Sequence, residues 1–125
     1  MFVTRVISEE GLNISQQGFD LDIRLPWYRS LPLSTINIGE LKVDGKLIAP
    51  DAIRFELNGK SYALDELGHH PEEWWFVLDS AHLRVSGTEI HPGVEHEVSV
   101  GVGIKPPYIP GFYRLTECTK QLVAV

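Results

Sequence analysis

In the run Phe19-Asp20-Leu21-Asp22-Ile23-Arg24-Leu25 every odd residue is apolar and every even one is charged. Only an extended chain, whose successive side chains point to opposite faces, can set such a run half in a core and half in water. The alternation recurs in Ile36/Ile38 and Leu41/Val43 either side of Gly39, in Ile53/Phe55/Leu57, in Val98/Val100/Val102/Ile104, and from Tyr113 to Val125. Each stretch reads as a strand of about 5 to 10 residues, with Gly39 placed to mark a bulge. A weaker first strand is expected over Phe2 to Ile7. Asp44-Gly45 and Asn58-Gly59 each sit between apolar strand residues, where the two central positions of a type I′ hairpin turn need positive φ. Ala63 to Glu66 is suited to a short helical turn ahead of the His69-His70-Pro71 break, and no amphipathic helix of useful length is present. Short strands, Gly and Pro punctuation and the lack of alternating helices predict one all-β domain over residues 1–125. The expected architecture is an antiparallel β-sandwich, jelly-roll-like or Ig-like, or else a small barrel, with about eight to ten strands.

At 125 residues the chain is long enough to bury a core without disulfide or metal staples. Eleven basic and seventeen acidic residues give a net charge of −6, with no Lys/Arg cluster, so a nucleic-acid partner is not expected. No apolar run approaches the roughly 18 residues of a membrane span. The amino terminus reaches Glu9-Glu10 before a signal-peptide core could form, so no membrane association and a cytoplasmic location are expected. The lone Cys118 lies in an apolar-alternating segment and reads as a small buried hydrophobe.

Chemistry-bearing patterns are sparse. His69-His70 with Glu72 and Glu73 is the nearest thing to a ligand cluster, but adjacent side chains diverge. His82, His91 and His96 lack the spacing that places two imidazoles on one strand face. The histidines therefore read as surface or loop residues, a metal held by His69, His70 and Glu72 being the minor alternative. No Gly-x-Ser-x-Gly elbow or phosphate-cradling loop occurs, and Asp20/Asp22 fall on the polar face of a strand. No catalytic residue and no metal ligand are expected in this chain.

The irregular segments are aromatic and proline-rich instead. Pro26-Trp27-Tyr28-Arg29 followed by Leu31-Pro32, and Pro106-Pro107-Tyr108-Ile109 followed by Phe112, put large apolar surface in loops. Proline lowers the entropy lost on ordering such loops, and Trp, Tyr and Arg dominate interface hot spots. Both segments are candidate partner contacts, a cap over one end of the sandwich being the structural alternative. In Trp74-Trp75-Phe76 the period of two sends one Trp to the core and leaves the other as a ring-stacking platform or further interface, so Trp74 and Trp75 are both carried as candidates.

Taken together, Trp27-Tyr28-Arg29-Ser30-Leu31-Pro32-Leu33-Ser34, Val43-Asp44-Gly45, Trp74-Trp75-Phe76-Val77 and Pro106-Pro107-Tyr108-Ile109 resemble the small (beta) subunit of bacterial C-glycoside deglycosidases along essentially the whole chain. The resemblance implies a β-sandwich that pairs with a larger TIM-barrel alpha subunit. It also implies that a divalent metal, usually Mn²⁺, and the general-base histidine belong to that partner, with no cofactor in this chain. The implied activity is that of a carbon–carbon lyase, which cleaves 3-keto C-glycosides of flavonoids or other aryl aglycones by β-elimination. A stand-alone carbohydrate- or flavonoid-binding module, using Trp74 or Trp75 and Tyr108 as platforms, is the alternative.

Overall fold

The computed structural model describes residues 6–88 and 90–125, which form two facing antiparallel sheets and a small ribbon. The first sheet contains β1 (Ile7–Ile14), β2 (Gly18–Arg24), β9 (Ser80–Ser86), β6 (Ile53–Leu57) and β7 (Lys60–Ala63), in that spatial order. The second runs β11 (Arg114–Val123), β10 (Glu95–Ile104), β4 (Ile36–Val43) and β5 (Lys46–Leu47). The ribbon pairs β3 (Leu31–Pro32) with β8 (Trp74–Trp75). Eight of these strands have four or more residues and three have two, which agrees with the expected all-β sandwich.

The alternation read from the sequence becomes the core. Phe19, Leu21 and Ile23 of β2, Leu83 of β9 and Phe55 of β6 are fully buried from one sheet, and Val98, Val102 and Ile104 of β10 from the other. Removing this apolar surface from water is the main driving force for bringing the sheets together. Cys118, opposite Val100, is buried as expected. Asp44-Gly45 and Asn58-Gly59 adopt φ of 52° and 80°, and 52° and 81°, and join β4 to β5 and β6 to β7 as type I′ hairpins. The β4–β10 register shifts between Val100 and Val102, opposite Gly39, so the bulge is where the glycine marked it. Leu64–His69 forms a 3-10 helix whose entry is fixed by the Ala63 N–H donating to Glu66 Oε1 at 2.8 Å.

One reading lies mostly outside the described residues, and one in the interior needs correction. The first strand among the described residues is Ile7–Ile14, which meets the expected Phe2 to Ile7 only at Ile7, residues 2–5 of that stretch lying outside the described residues. Its pairing with β2 shifts register between Ile7 and Leu12, and that irregularity hides the period of two. The C-terminal Val125 then stitches the sheets at this edge, accepting from Ile14 N–H at 2.8 Å and donating to Leu12 C=O at 3.2 Å. No helix among the described residues is long and apolar enough to cross a membrane.

His96, expected at the surface, is buried, because its place in β10 is in phase with Val98 and Val100. Its Nδ1 lies 2.7 Å from Asp44 Oδ2, and Asp44 Oδ1 accepts the Glu97 N–H at 2.9 Å. The His96 hydrogen bond, followed by the Glu97 amide, holds the Asp44 carboxyl below its ordinary range. A depressed carboxyl stabilises the fold above its unfolded-state value, and that stabilisation is lost as pH falls through the folded-state value. Asp44→Asn should therefore lower the urea midpoint at pH 7, and the gap from the parent should close as pH drops below about 4. Equal midpoints at pH 7 would refute this role.

The outer face of the five-stranded sheet is a charge ladder. Arg84 makes a two-pronged contact with Glu56 at 2.6 and 2.8 Å and reaches Asp20 at 3.1 Å, while His82 lies 2.5 Å from Asp22. Asp20 and Asp22 are thus engaged with strand neighbours on a solvated face, as the alternation implies. Opposite charges facing each other across strands contribute modestly, and no acid/base pair is set up.

Candidate functional site

The two Pro/aromatic loops, 81 residues apart in sequence at Trp27 and Tyr108, meet at one end of the sandwich. Trp27 Nε1 donates to the Tyr108 hydroxyl at 2.6 Å, and the Trp27 ring packs at 5.0 Å from Tyr28 and 5.8 Å from Phe112. The Arg29 guanidinium lies 5.1 Å from the centre of the Tyr108 ring, within cation–π range. The second loop is shaped by consecutive turns, Ile109 N–H to Pro106 C=O and Phe112 N–H to Ile109 C=O, with Gly111 at φ 74°. Its base is tied to the start of β4 by the Lys105 N–H, which donates to Thr35 C=O at 2.9 Å.

A third segment belongs to the same end. β3 pairs Leu31 with Trp75 and Pro32 with Trp74, Val77 N–H donates to Ser30 Oγ at 3.0 Å, and Arg24 Nη1 donates to Leu78 C=O at 2.8 Å. These links carry Phe76 and Leu78 to the surface beside the first loop, 54% and 83% exposed. Tyr28, Trp74 and Tyr108 are also exposed there. Exposed apolar side chains gathered on hydrogen-bonded, proline-containing loops have the character of a protein-binding surface.

The sequence-derived contact residues divide by burial. Tyr28, Arg29, Pro107 and Tyr108 are exposed, and Ile109 and Phe112 are half-buried. Pro26, Leu31, Pro32 and Pro106 are buried, and Trp27 is nearly so, which makes these five the braces of the loops rather than their outward face. Trp75 is fully buried, packed edge-on against Phe55 at 5.4 Å with its Nε1 donating to Asp79 C=O at 3.0 Å. As a ring-stacking platform Trp75 is ruled out by that burial, and the outward side chain of the pair is Trp74. Phe76 and Leu78 carried no assignment in the sequence, although the apolar run from Trp74 to Leu78 exceeds what a two-residue strand can bury.

The electrostatics of this end suit binding. Interaction with the Tyr108 hydroxyl, with desolvation second, raises the Tyr28 phenol above its ordinary range, so it remains a neutral hydrogen-bonding group. The His70 ring lies tilted against that of Tyr62 with centres 4.7 Å apart, and its Nδ1 is 2.8 Å from Glu72 Oε2, so a ring contact and a carboxylate contact account for it. Among the described residues, no three His, Cys, Asp or Glu side chains gather as a metal site.

A family model described as C-glycoside deglycosidase beta subunit matches residues 2–108, a range that takes in Trp27, Tyr28, Arg29, Trp74 to Leu78 and Tyr108. The chain is 40% identical over 109 residues to a C-glycoside deglycosidase beta subunit of Microbacterium trichothecenolyticum, covering 87% of this chain and 82% of that one. It is 39% identical over 110 residues to a 3'-dehydrocarminate deglycosidase beta subunit of a Microbacterium species, covering 88% and 83%. A C-glycoside deglycosidase beta subunit of Arthrobacter globiformis is 38% identical over 110 residues, covering 87% and 83%.

Proposed function

The chain belongs to the C-glycoside deglycosidase beta subunit family, and from that we propose that it is the non-catalytic beta subunit of a heteromeric, cytoplasmic carbon–carbon lyase acting on 3-keto C-glycosides. The observation that carries this reading is the meeting of Trp27, Tyr28, Arg29 and Tyr108 at one end of the sandwich, with exposed Phe76 and Leu78 on the segment that Val77 ties to Ser30 of the first loop. That surface docks on a larger TIM-barrel alpha subunit and supplies a wall that keeps water from its active site.

The chemistry explains why such an enzyme would need a ketone. An aryl carbon joined to a sugar is a poor leaving group as a carbanion, so hydrolysis of the O-glycoside kind is closed to it. With C3 of the sugar already oxidised to a ketone, the C2 proton is acidic and a base can take it. The electron pair then forms the C1=C2 double bond, the C1–aryl bond breaks, and the aglycone carbon is protonated. One relative is named for a 3'-dehydro compound, which fits this oxidation state. A divalent metal, Mn²⁺ on this reading, would supply Lewis-acid polarisation of the ketone oxygen from the alpha subunit. The residues of this chain exclude water and brace the partner, with aromatic C-glycosides, flavonoid ones among them, as the substrate class.

Size-exclusion chromatography with mass determination, on this chain alone and co-expressed with a family alpha subunit, tests the proposal. One stable complex that cleaves a 3-keto C-glycoside, when neither part does alone, is the expected result. A chain that remains monomeric beside the alpha subunit would overturn it.

A further inference from the structure

Where the Lys105 backbone joins Thr35, a cleft of about 670 Å³ opens beside the aromatic loop, lined by Ser34, Thr35, Asn37, Asp65, Lys105 and Tyr113 among others. Its volume lies in the range of small-molecule sites. Gly103 makes room for two of the lining side chains, Asn37 and Tyr113. A Cβ on Gly103 would stand 2.1 Å from Asn37 Oδ1 and 2.5 Å from the Tyr113 hydroxyl oxygen, so the missing side chain is what lets this pair lie across β10. Tyr113 donates to Asn37 Oδ1 at 3.4 Å, and Lys105 Nζ lies 5.8 Å from the centre of the Tyr113 ring.

We propose that this cleft binds the pyranose ring of a glycoside. Among the described residues neither Lys105 Nζ nor the Asp65 carboxylate is engaged in an ion pair, which leaves one cationic donor and one anionic acceptor on the same lining. A bare anion would meet Asp65 and a bare cation would meet Lys105. A neutral polyol, whose hydroxyls both donate and accept, satisfies both along with the Asn37 amide. Tyr113, about half exposed, adds the aromatic surface against which the C–H face of a sugar packs. The choice of a glycoside's sugar over another polyol rests on the proposed function.

The test is a titration of the isotope-labelled full chain with D-glucose, with phenyl C-glucoside and with phenol, followed by amide and side-chain NMR shifts. Glucose and the C-glucoside should move Asn37, Asp65, Lys105 and Tyr113, and phenol should not. Lys105→Met and Tyr113→Leu, both at exposed positions, should each weaken the sugar response by about tenfold or more, close to 1.4 kcal/mol. Both variants should still co-elute with the alpha subunit, so loss of sugar binding and loss of assembly are read separately. Shifts with phenol alone would assign the cleft to the aglycone and overturn the proposal. So would an absence of sugar-induced shifts together with no sugar protection of Lys105 against acylation in the assembled complex.

Discussion

Phe76→Asp combined with Leu78→Asp should leave this chain folded while weakening its complex with the alpha subunit by about a hundredfold or more, a loss of roughly 2.7 kcal/mol. The two side chains are among the most exposed large hydrophobics of the protein, so little internal packing is lost with them. Surface changes of this kind alter folding stability by about 0.5 kcal/mol or less. At an interface the same change removes two apolar contacts and forces two carboxylates out of water, which is costly when no partner charge awaits them. Calorimetric titration of the purified pair, beside a thermal melt of the variant alone, checks both halves. Wild-type affinity in the double variant would remove this segment from the interface. Trp27→Ala is a poorer probe, because Trp27 is 9% exposed and packs on Tyr28 and Phe112, so its loss would disturb the loop as well as the contact.

The strands that could be read from the sequence are those whose two faces meet different solvents. β2, with Asp20, Asp22 and Arg24 on water and Phe19, Leu21 and Ile23 in the core, alternates without fault, and β6 and β10 nearly so. β9 repeats the pattern in Ala81, Leu83 and Val85, but follows so closely on the aromatic run that its start is masked. β1 is obscured by its register shift, and β3 and β8 are too short to have a period at all. The candidate surface was half legible for a related reason. Composition marks Trp27 to Arg29 and Pro106 to Phe112 as interface-like, yet nothing local says that Trp27 and Tyr108 touch, or that Leu31, Pro32 and Pro106 face inward. Those facts depend on long-range pairing, chiefly the Leu31–Trp75 ladder and the Lys105–Thr35 hydrogen bond. The burial of His96 was hidden by residue type, since its β10 phase is that of a core residue while its chemistry is that of a surface one.

The adjacent tryptophans offer the sharpest contrast between brace and surface. Trp75 is fully buried against Phe55 and donates to Asp79 C=O, and its strand partner Leu31 is equally buried. Trp75→Ala would empty a cavity the size of an indole and leave the Asp79 carbonyl without its donor. Losses of about 3 to 5 kcal/mol follow from such truncations, a fifth or more of the roughly 5 to 15 kcal/mol that holds a domain together. The variant should unfold at markedly lower urea concentration and lose assembly as a consequence. Trp74→Ala, one residue earlier and 44% exposed, should keep the parent's unfolding free energy, read by urea titration, to within about 0.5 kcal/mol. If Trp74 lies in the interface, its loss weakens the complex without touching the fold. Equal destabilisation by the two substitutions would mean that the β3–β8 ribbon, rather than the Trp75 ring, is what anchors the aromatic loops.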